Sequence, residues 1–198
     1  MREVELKSVA AAPDDVAAAL AAAGARSTFK GLLADRRYDT PDRALFARDH
    51  VLRLRVYSDV GGARAFLDWK GPTRYADGYK VREEISTGVA DPDAMSGLLE
   101  GLGYRVIREI DRDIAQFALG AATVRIERYP RMDPLVEVEG SPAAIEAAIA
   151  TTGLAREGFT TERLPDFVRR FEARTGERAA ICARELAGDY RFGPAADA

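Results

Sequence analysis

Apolar and charged residues alternate along several short segments of the chain. The first segment reads Glu3-Val4-Glu5-Leu6-Lys7, and the same alternation returns in Leu52-Arg53-Leu54-Arg55-Val56. Because side chains two positions apart share one face of a β-strand, each segment carries its charges on one face and its apolar residues on the other. This pattern predicts strands over residues 3–7, 51–57, 65–70, 80–85, 104–117, 123–129 and 136–139.

Three helices are predicted between these strands, each from clear start and stop signals. They begin at Pro13-Asp14-Asp15, Asp91-Pro92-Asp93 and Ser141-Pro142, and they end at Gly24, at Gly101 or Gly103, and at Gly153. Proline suits the first helical turn, acidic residues favour the positive end of the helix dipole, and glycine suits the position after the last turn. The sequence therefore predicts an α+β fold with a dominant sheet.

Composition limits what the protein can be. The chain has 198 residues, 47% of them hydrophobic and 31% charged, which is typical of one large globular domain or two small ones. No apolar run approaches the roughly 20 residues of a membrane span, so we expect a cytoplasmic protein with no membrane partner. The net charge of −3 gives no bias toward nucleic acid.

The lone Cys182 and the lone His50 exclude a thiolate cluster and a multi-histidine metal site. Any bound metal is therefore expected to be a hard ion held by carboxylates, namely Mg²⁺ or Mn²⁺.

The charged faces of at least six strands have two explanations. An antiparallel sheet with one solvated face alternates in the same way, and for any single strand this is the simpler explanation. The polar positions here are dominated by arginine, lysine and glutamate, however, which favours a closed barrel with apolar faces outward under the helices and charges inside. The predicted lining consists of Lys7, Arg53, Arg55, Lys70, Lys80, Arg82, Arg108, Arg112 and Arg125, with Glu3, Glu5, Glu84, Glu127, Glu137 and Glu139.

Such an interior is costly unless the charges are paired or a ligand completes them. The guanidinium groups of arginine and the ammonium groups of lysine suit phosphate oxygens, and clustered carboxylates suit a divalent metal. A triphosphate bound together with one or two metal ions satisfies both groups.

The motifs also resemble a known family. The segment EVELK resembles the ExExK signature of the CYTH superfamily, the triphosphate tunnel metalloenzymes, which include class IV adenylate cyclases, thiamine triphosphatases and inorganic triphosphatases. YDTPDRALFARDHVLRLRV, WKGP, VREEI and LVEVEG follow in the family's order. The resemblance implies a closed eight-stranded antiparallel tunnel with flanking helices over residues 1–172. The chain after it lacks a matching strand signal, so we expect a helical tail over residues 173–198 with a frayed end.

The resemblance also implies residue roles. Glu3, Glu5, Glu127, Glu137 and Glu139 match metal-binding carboxylates, and Lys7, Arg53, Arg55, Lys70 and Arg82 match phosphate-binding cations. Glu84 matches the acid of the Arg-x-Glu strand, while Lys80 and Arg125 are added from strand parity alone. Glu5, Lys70 and Glu84 are assigned to catalysis.

Two positions depart from the family pattern. Either Arg108 or Arg112 matches its late-strand cation, and both stay candidates. Arg37 stands where thiamine triphosphatases have a tyrosine, which weakens thiamine triphosphate as the expected substrate.

Three functions remain open at this point. The preferred one is metal-dependent hydrolysis of a triphosphate compound by water that attacks the terminal phosphorus. The alternatives are an adenylate cyclase that makes cyclic AMP and pyrophosphate from ATP, and a polyphosphate-binding or nucleotide-binding module without catalysis. The sequence leaves open the organic part of the substrate and the oligomeric state, with a homodimer as one option.

Overall fold

A computed structural model of the chain describes residues 2–189, with Arg2 described by its backbone alone. The strands are β1 (Arg2–Val9), β2 (Arg26–Asp39), β3 (Val51–Asp59), β4 (Gly62–Lys70), β5 (Arg74–Ala76), β6 (Tyr79–Val89), β7 (Arg105–Leu119), β8 (Ala122–Arg128) and β9 (Leu135–Glu139). The helices are α1 (Pro13–Ala22), α2 (Pro92–Gly101), α3 (Pro142–Thr152), α4 (Leu164–Thr175) and α5 (Ala183–Ala187). Single 3₁₀ turns occupy Phe46–Arg48 and Arg156–Gly158.

Eight of the strands form a closed antiparallel barrel. Their order is β1-β9-β8-β7-β2-β3-β4-β6, and pairing of β1 with β6 closes the ring. The short strand β5 pairs only with the start of β6, outside this ring. The predicted α+β fold with an eight-stranded antiparallel barrel and flanking helices is therefore confirmed, with β5 as an additional strand.

The apolar faces of the strands point outward and are covered by helices. Under α1 and α3, Leu6, Val124 and Val138 pack with Leu20 and Ile145, and all five side chains are buried. On another side of the barrel, Leu99 of α2 packs against Tyr38 and Leu54. Because the outward faces are buried in this way, the charged faces are left to line the interior.

The three helices predicted from their caps are confirmed. The Asp91 carboxylate accepts a hydrogen bond from the Ala94 N–H at 2.9 Å, and the Ser141 hydroxyl accepts one from the Ala144 N–H at 3.3 Å. Gly153 ends α3 with φ of 75°, a left-handed conformation that glycine adopts without strain.

Helix α4 and the segment after it close one end of the barrel with apolar side chains. Ile110 and Leu135 stand two residues before the cavity-lining Arg112 and Glu137, and therefore share their inward face. The cluster that they join consists of Ile110, Tyr129, Met132, Leu135, Phe167, Phe171, Ala179 and Ile181.

The chain beyond residue 172, predicted as a helical tail, is bonded to the barrel. The Asp111 N–H donates to the Ile181 carbonyl at 2.8 Å, and Arg131 and Ala180 exchange two backbone hydrogen bonds. The only helix among its described residues, up to 189, is the five-residue α5, apart from the end of α4, and Cys182 is the buried N-cap of α5. The predicted frayed end falls on residues 190–198, outside the described residues.

Within residues 2–189, no helix combines the length and the apolar composition that a membrane crossing requires.

Candidate active site

The inward faces of the strands line a cavity of about 710 Å³. Of the fifteen residues predicted for the site, fourteen line it, and Arg108 does not, although its side chain is buried. Arg112, the other candidate for the late-strand cation, does line the cavity. Among the described residues, the charged lining groups are Lys7, Arg37, Arg53, Arg55, Arg64, Lys70, Lys80, Arg82, Arg112, Arg125 and Arg163, with Glu3, Glu5, Glu84, Glu127, Glu137 and Glu139.

Acids and arginines are concentrated on different walls of this cavity. Five of the six glutamates come from β1, β8 and β9, which are neighbours in the sheet. Arg37, Arg53, Arg55 and Arg112 come from β2, β3 and β7, which are also neighbours. The cavity therefore has an acidic wall facing a basic one.

Lysines hold the carboxylates of the acidic wall. The Lys7 ammonium lies 2.8 Å from a Glu5 oxygen and 2.6 Å from a Glu137 oxygen, and Lys80 pairs with Glu5. Burial opposes the charged forms, but these contacts outweigh it, so the pKa of Glu5 is lowered and the pKa of Lys7 is raised. Despite its burial, the pKa of Glu137 is likewise lowered to about 2 by Lys7 and Arg125, so both glutamates and Lys7 are charged at neutral pH.

Lys70 and Glu84 join the two walls. The Lys70 ammonium lies 2.6 Å from a Glu3 oxygen and 3.5 Å from Glu84. The other Glu84 oxygen accepts a hydrogen bond from Arg53 at 3.2 Å. The predicted catalytic Lys70 and Glu84 therefore contact each other between the carboxylates and the arginines.

Glu139 is a carboxylate of the acidic wall with an incomplete charge balance. It lies directly opposite Glu5 in the pairing of β1 with β9, an arrangement of like charges that is unfavourable without a cation. Burial and the neighbouring Glu137 and Glu3 raise the pKa of Glu139 to about 7. A divalent cation placed among these oxygens would remove this repulsion, so the residues present fit Mg²⁺ or Mn²⁺.

The carboxylates do not form a ready coordination sphere in this arrangement. Within residues 2–189, no three acidic, histidine or cysteine side chains converge closely enough to hold one ion. The lysine contacts are the physical reason, because each ammonium occupies oxygens that a metal would use. Glu127 is similarly engaged, since its oxygens accept hydrogen bonds from Arg112 at 2.8 Å and from the Tyr129 hydroxyl at 2.6 Å.

Two buried aspartates orient the arginines of the basic wall. Asp35 accepts hydrogen bonds from Arg112 at 2.9 Å and from Arg53 at 3.5 Å, and Asp68 accepts one from Arg53 at 3.2 Å. Arg55 also pairs with Asp68. Both aspartates are 0% exposed, and their lowered pKa values reflect the adjacent arginines, which outweigh the effect of burial. The sequence prediction did not assign either aspartate to the site.

Arg37 is another lining residue that the sequence prediction did not assign. Its position on β2 is paired with Arg53 on one side and Arg108 on the other. Its inward direction follows from Asp35, two residues earlier on the same strand.

The loop after β2 helps to hold Arg82 at one end of the cavity. Asp39 of the YDTP motif accepts hydrogen bonds from the N–H groups of Thr40, Leu45 and Phe46, which fixes the turn that leads to Asp49. Arg82 donates to the carbonyls of Asp49 at 2.6 Å and Gly71 at 2.7 Å.

The fold is similar to that of several solved structures. A protein of Pyrococcus horikoshii aligns with a TM-score of 0.71 and 22% identity, over 85% of this chain and 98% of its own. A candidate adenylate cyclase from Vibrio parahaemolyticus gives a TM-score of 0.71 and 21% identity, over 84% of this chain and 97% of its own. A candidate adenylyl cyclase from Hippeastrum, described as having a dominant triphosphatase activity, gives a TM-score of 0.60 and 16% identity, over 91% and 98%.

Among curated protein sequences, no significant match is found. The CYTH domain profile, in contrast, matches residues 1–141, which is well over half of the chain. This region contains all of the predicted site residues, including both glutamate pairs and the arginines of β3. Together with the closed barrel and its charged interior, the match shows that this chain belongs to the CYTH domain family.

Proposed function

We propose that the protein is a divalent-metal-dependent hydrolase of triphosphate compounds. The observation that carries this proposal is the cavity with opposed walls, in which carboxylates of β1, β8 and β9 face arginines of β2, β3 and β7. Carboxylates beside a bound phosphate chain favour the complex only when a metal ion lies between them, whereas the arginines bind the phosphate directly.

The acidic wall would hold the metal. Glu3, Glu5, Glu137 and Glu139 are the residues proposed as ligands, and Mg²⁺ or Mn²⁺ bound there would neutralise phosphate charge and activate water. Glu127 was predicted with them, but its contacts with Arg112 and Tyr129 favour a role in orienting Arg112.

The basic wall would hold the phosphate chain. Arg53, Arg55 and Arg112 already have their guanidinium groups oriented by Asp35 and Asp68, so little side-chain freedom is lost when phosphate binds. Lys7, Lys70, Lys80 and Arg125, which pair with glutamates in this structure, would contact the phosphate chain in the complex, and Arg82 would contact phosphate at the end of the cavity.

Lys70 and Glu84 are the proposed catalytic pair, with Glu5 beside them. The Lys70 ammonium lies within 3.5 Å of Glu84 and faces the acidic wall, where it can stabilise charge that develops on the phosphoryl oxygens. Glu84 and Glu5 are the carboxylates available to orient water toward the terminal phosphorus.

Cyclisation of ATP is the second candidate, supported by the likeness to the Vibrio parahaemolyticus protein described as a candidate adenylate cyclase. The same cavity would serve, with the ribose hydroxyl in place of water as the nucleophile.

Product analysis distinguishes these reactions. Purified protein would be incubated with Mg²⁺ or Mn²⁺ and with tripolyphosphate, ATP or thiamine triphosphate, and the products separated by ion-exchange chromatography. Orthophosphate that appears only with metal is the expected result, and EDTA should abolish it. Cyclic AMP with pyrophosphate would instead establish the cyclase. Tight binding without any product would establish the non-catalytic module.

A further inference from the structure

Arg37 differs from most cationic residues of the cavity in the contacts of its guanidinium group. Most lysines and arginines of the cavity have a carboxylate oxygen nearby, such as Lys70 with Glu3 at 2.6 Å and Arg125 with Glu137 at 2.7 Å. For Arg37, no hydrogen bond or ion pair is formed within residues 2–189, and its Nε atom is buried without an acceptor.

Asp35 is close enough to attract Arg37 but forms no hydrogen bond with it. The Asp35 Oδ2 atom accepts hydrogen bonds from Arg112 and Arg53, whereas Oδ1 is buried without a hydrogen bond, so one aspartate balances several guanidinium groups. Burial, together with the positive charges of Arg53 and Arg108, lowers the pKa of Arg37 to about 10 despite the attraction of Asp35. The surroundings of Arg37 therefore carry an excess of positive charge.

The other arginines at this end of the cavity make their short contacts elsewhere. Arg82 donates to two backbone carbonyls, and Arg163 contacts the Asp49 carboxylate at 3.2 Å and the Thr73 hydroxyl at 3.0 Å. Among the described arginines at this end of the cavity, Arg37 is thus the one without a hydrogen-bonded partner, and its donors remain available to a ligand. A buried donor without a partner is unfavourable, and a phosphate oxygen would satisfy it with a charge-assisted hydrogen bond.

We propose that Arg37 is a specificity-determining residue that favours inorganic polyphosphate over triphosphate esters. A linear inorganic polyphosphate carries a charged phosphate at both ends, so one end can meet Arg37 while the remainder occupies the central cations. When the terminal phosphate of an ester lies at the acidic wall, where hydrolysis is proposed, its other end is an organic group, neutral in ATP and cationic in thiamine triphosphate. This group offers the guanidinium no anionic acceptor. The inference rests on the proposed function, because it assumes that the cavity binds a phosphate chain.

Binding without metal tests the inference separately from catalysis. Isothermal titration calorimetry in EDTA would give the affinities of the parent and of Arg37→Gln for tripolyphosphate and ATP. We expect Arg37→Gln to weaken tripolyphosphate binding about tenfold and ATP binding less than threefold.

Arg36→Gln is the matched control. Arg36 lies on the same strand but the opposite face, where its guanidinium pairs with Asp111 at 2.7 Å. This substitution removes the same charge from the same strand, and both affinities should be unchanged. Arg37→Lys, which keeps the charge but loses the fork, should give an intermediate loss and provides a second readout if Arg37→Gln does not fold.

The outcomes separate this inference from the proposed function. An equal loss for both ligands in Arg37→Gln, or no loss, would overturn the role of Arg37 and leave hydrolysis unaffected. Selective binding by a parent protein that hydrolyses no triphosphate would overturn the proposed hydrolysis and support the role of Arg37. A parent that binds neither ligand in EDTA would overturn the role of Arg37 as a metal-independent phosphate contact, and a parent that also releases no phosphate with Mg²⁺ would overturn both.

Discussion

Glu5 on β1 lies directly opposite Glu139 on β9, so two carboxylates occupy neighbouring positions on the wall of the cavity. Lysines satisfy Glu5, whereas Glu139 lies among the negative charges of Glu3 and Glu137. A pair of like charges at this depth suits a bound cation, and the proposed metal binding should therefore depend on pH.

Mg²⁺ affinity should increase with pH near neutrality. The pKa of Glu139 is raised to about 7, so this group is mostly protonated at pH 6 and mostly ionised at pH 8. Because a metal binds the ionised form, we expect about a tenfold gain in affinity over this interval, together with proton release. Titration calorimetry in two buffers of different ionisation enthalpy would measure both. In Glu139→Gln the proton release should disappear, and its persistence would contradict the assignment.

Removal of a carboxylate from the acidic wall should abolish metal-dependent activity. In Glu5→Gln and Glu137→Gln, we expect the rate of Mg²⁺-dependent phosphate release to fall about a hundredfold or more, since each change removes a proposed ligand. Glu83→Gln is the control, because Glu83 lies on β6 beside the site residue Glu84 but is exposed on the outer face. Full activity in both test variants would show that these glutamates do not hold the metal.

Loss of Asp35 should destabilise the fold. Asp35→Asn leaves Arg53 and Arg112 without a shared buried partner, and breaking such a buried pair costs about 3–5 kcal/mol in the free energy of unfolding. Urea denaturation would measure the loss at pH 7. Because the pKa of Asp35 is lowered in the folded state, its contribution is present above its ordinary pKa and is lost as the pH falls through the acid range.

Asp14→Asn provides the comparison for Asp35. Asp14 pairs with Arg128, but its side chain is 93% exposed, and such surface pairs contribute about 1 kcal/mol or less. Equal losses in the free energy of unfolding for the two variants would mean that Asp35 does not stabilise the arginines of the basic wall.

The apolar closure of the barrel should be a major source of stability. Phe167 of α4 is 2% exposed, and Phe167→Ala is expected to lower the free energy of unfolding by about 3–5 kcal/mol. Leu186→Ala on α5 should change it by about 0.5 kcal/mol or less, since Leu186 is 47% exposed. Chemical denaturation of both variants would decide whether α4 belongs to the cooperative core.

Strict alternation made most of the barrel predictable. Charged and apolar residues alternate over residues 3–7 of β1 and 52–56 of β3, so the inward face could be recognised before the structure was known. Fourteen of the fifteen predicted site residues line the cavity. Proline at the start and glycine after the end likewise identified α1, α2 and α3.

The site residues of β2 could not be predicted from the sequence, because apolar and charged residues do not alternate along this strand. Leu32 and Leu33 are adjacent, yet Leu32 is 62% exposed and Leu33 only 1%. Arg36 and Arg37 are adjacent as well, so charge alone cannot tell which of them points inward. Pairing with β3 and β7 sets the face, and this tertiary information placed Asp35 and Arg37 in the site.

The apolar cluster at the end of the barrel has a consequence for how the protein is made. Ile110 and Leu135 are synthesised well before Phe167, Phe171 and Ile181, the residues that cover them. During translation, the strands therefore emerge with inward-facing apolar groups that have no cover until residue 181 has left the ribosome. The strands that match the CYTH family are thus covered at one end only by the segment synthesised after them. A nascent chain that ends near residue 141 lacks this cover and leaves apolar side chains exposed, which favours aggregation.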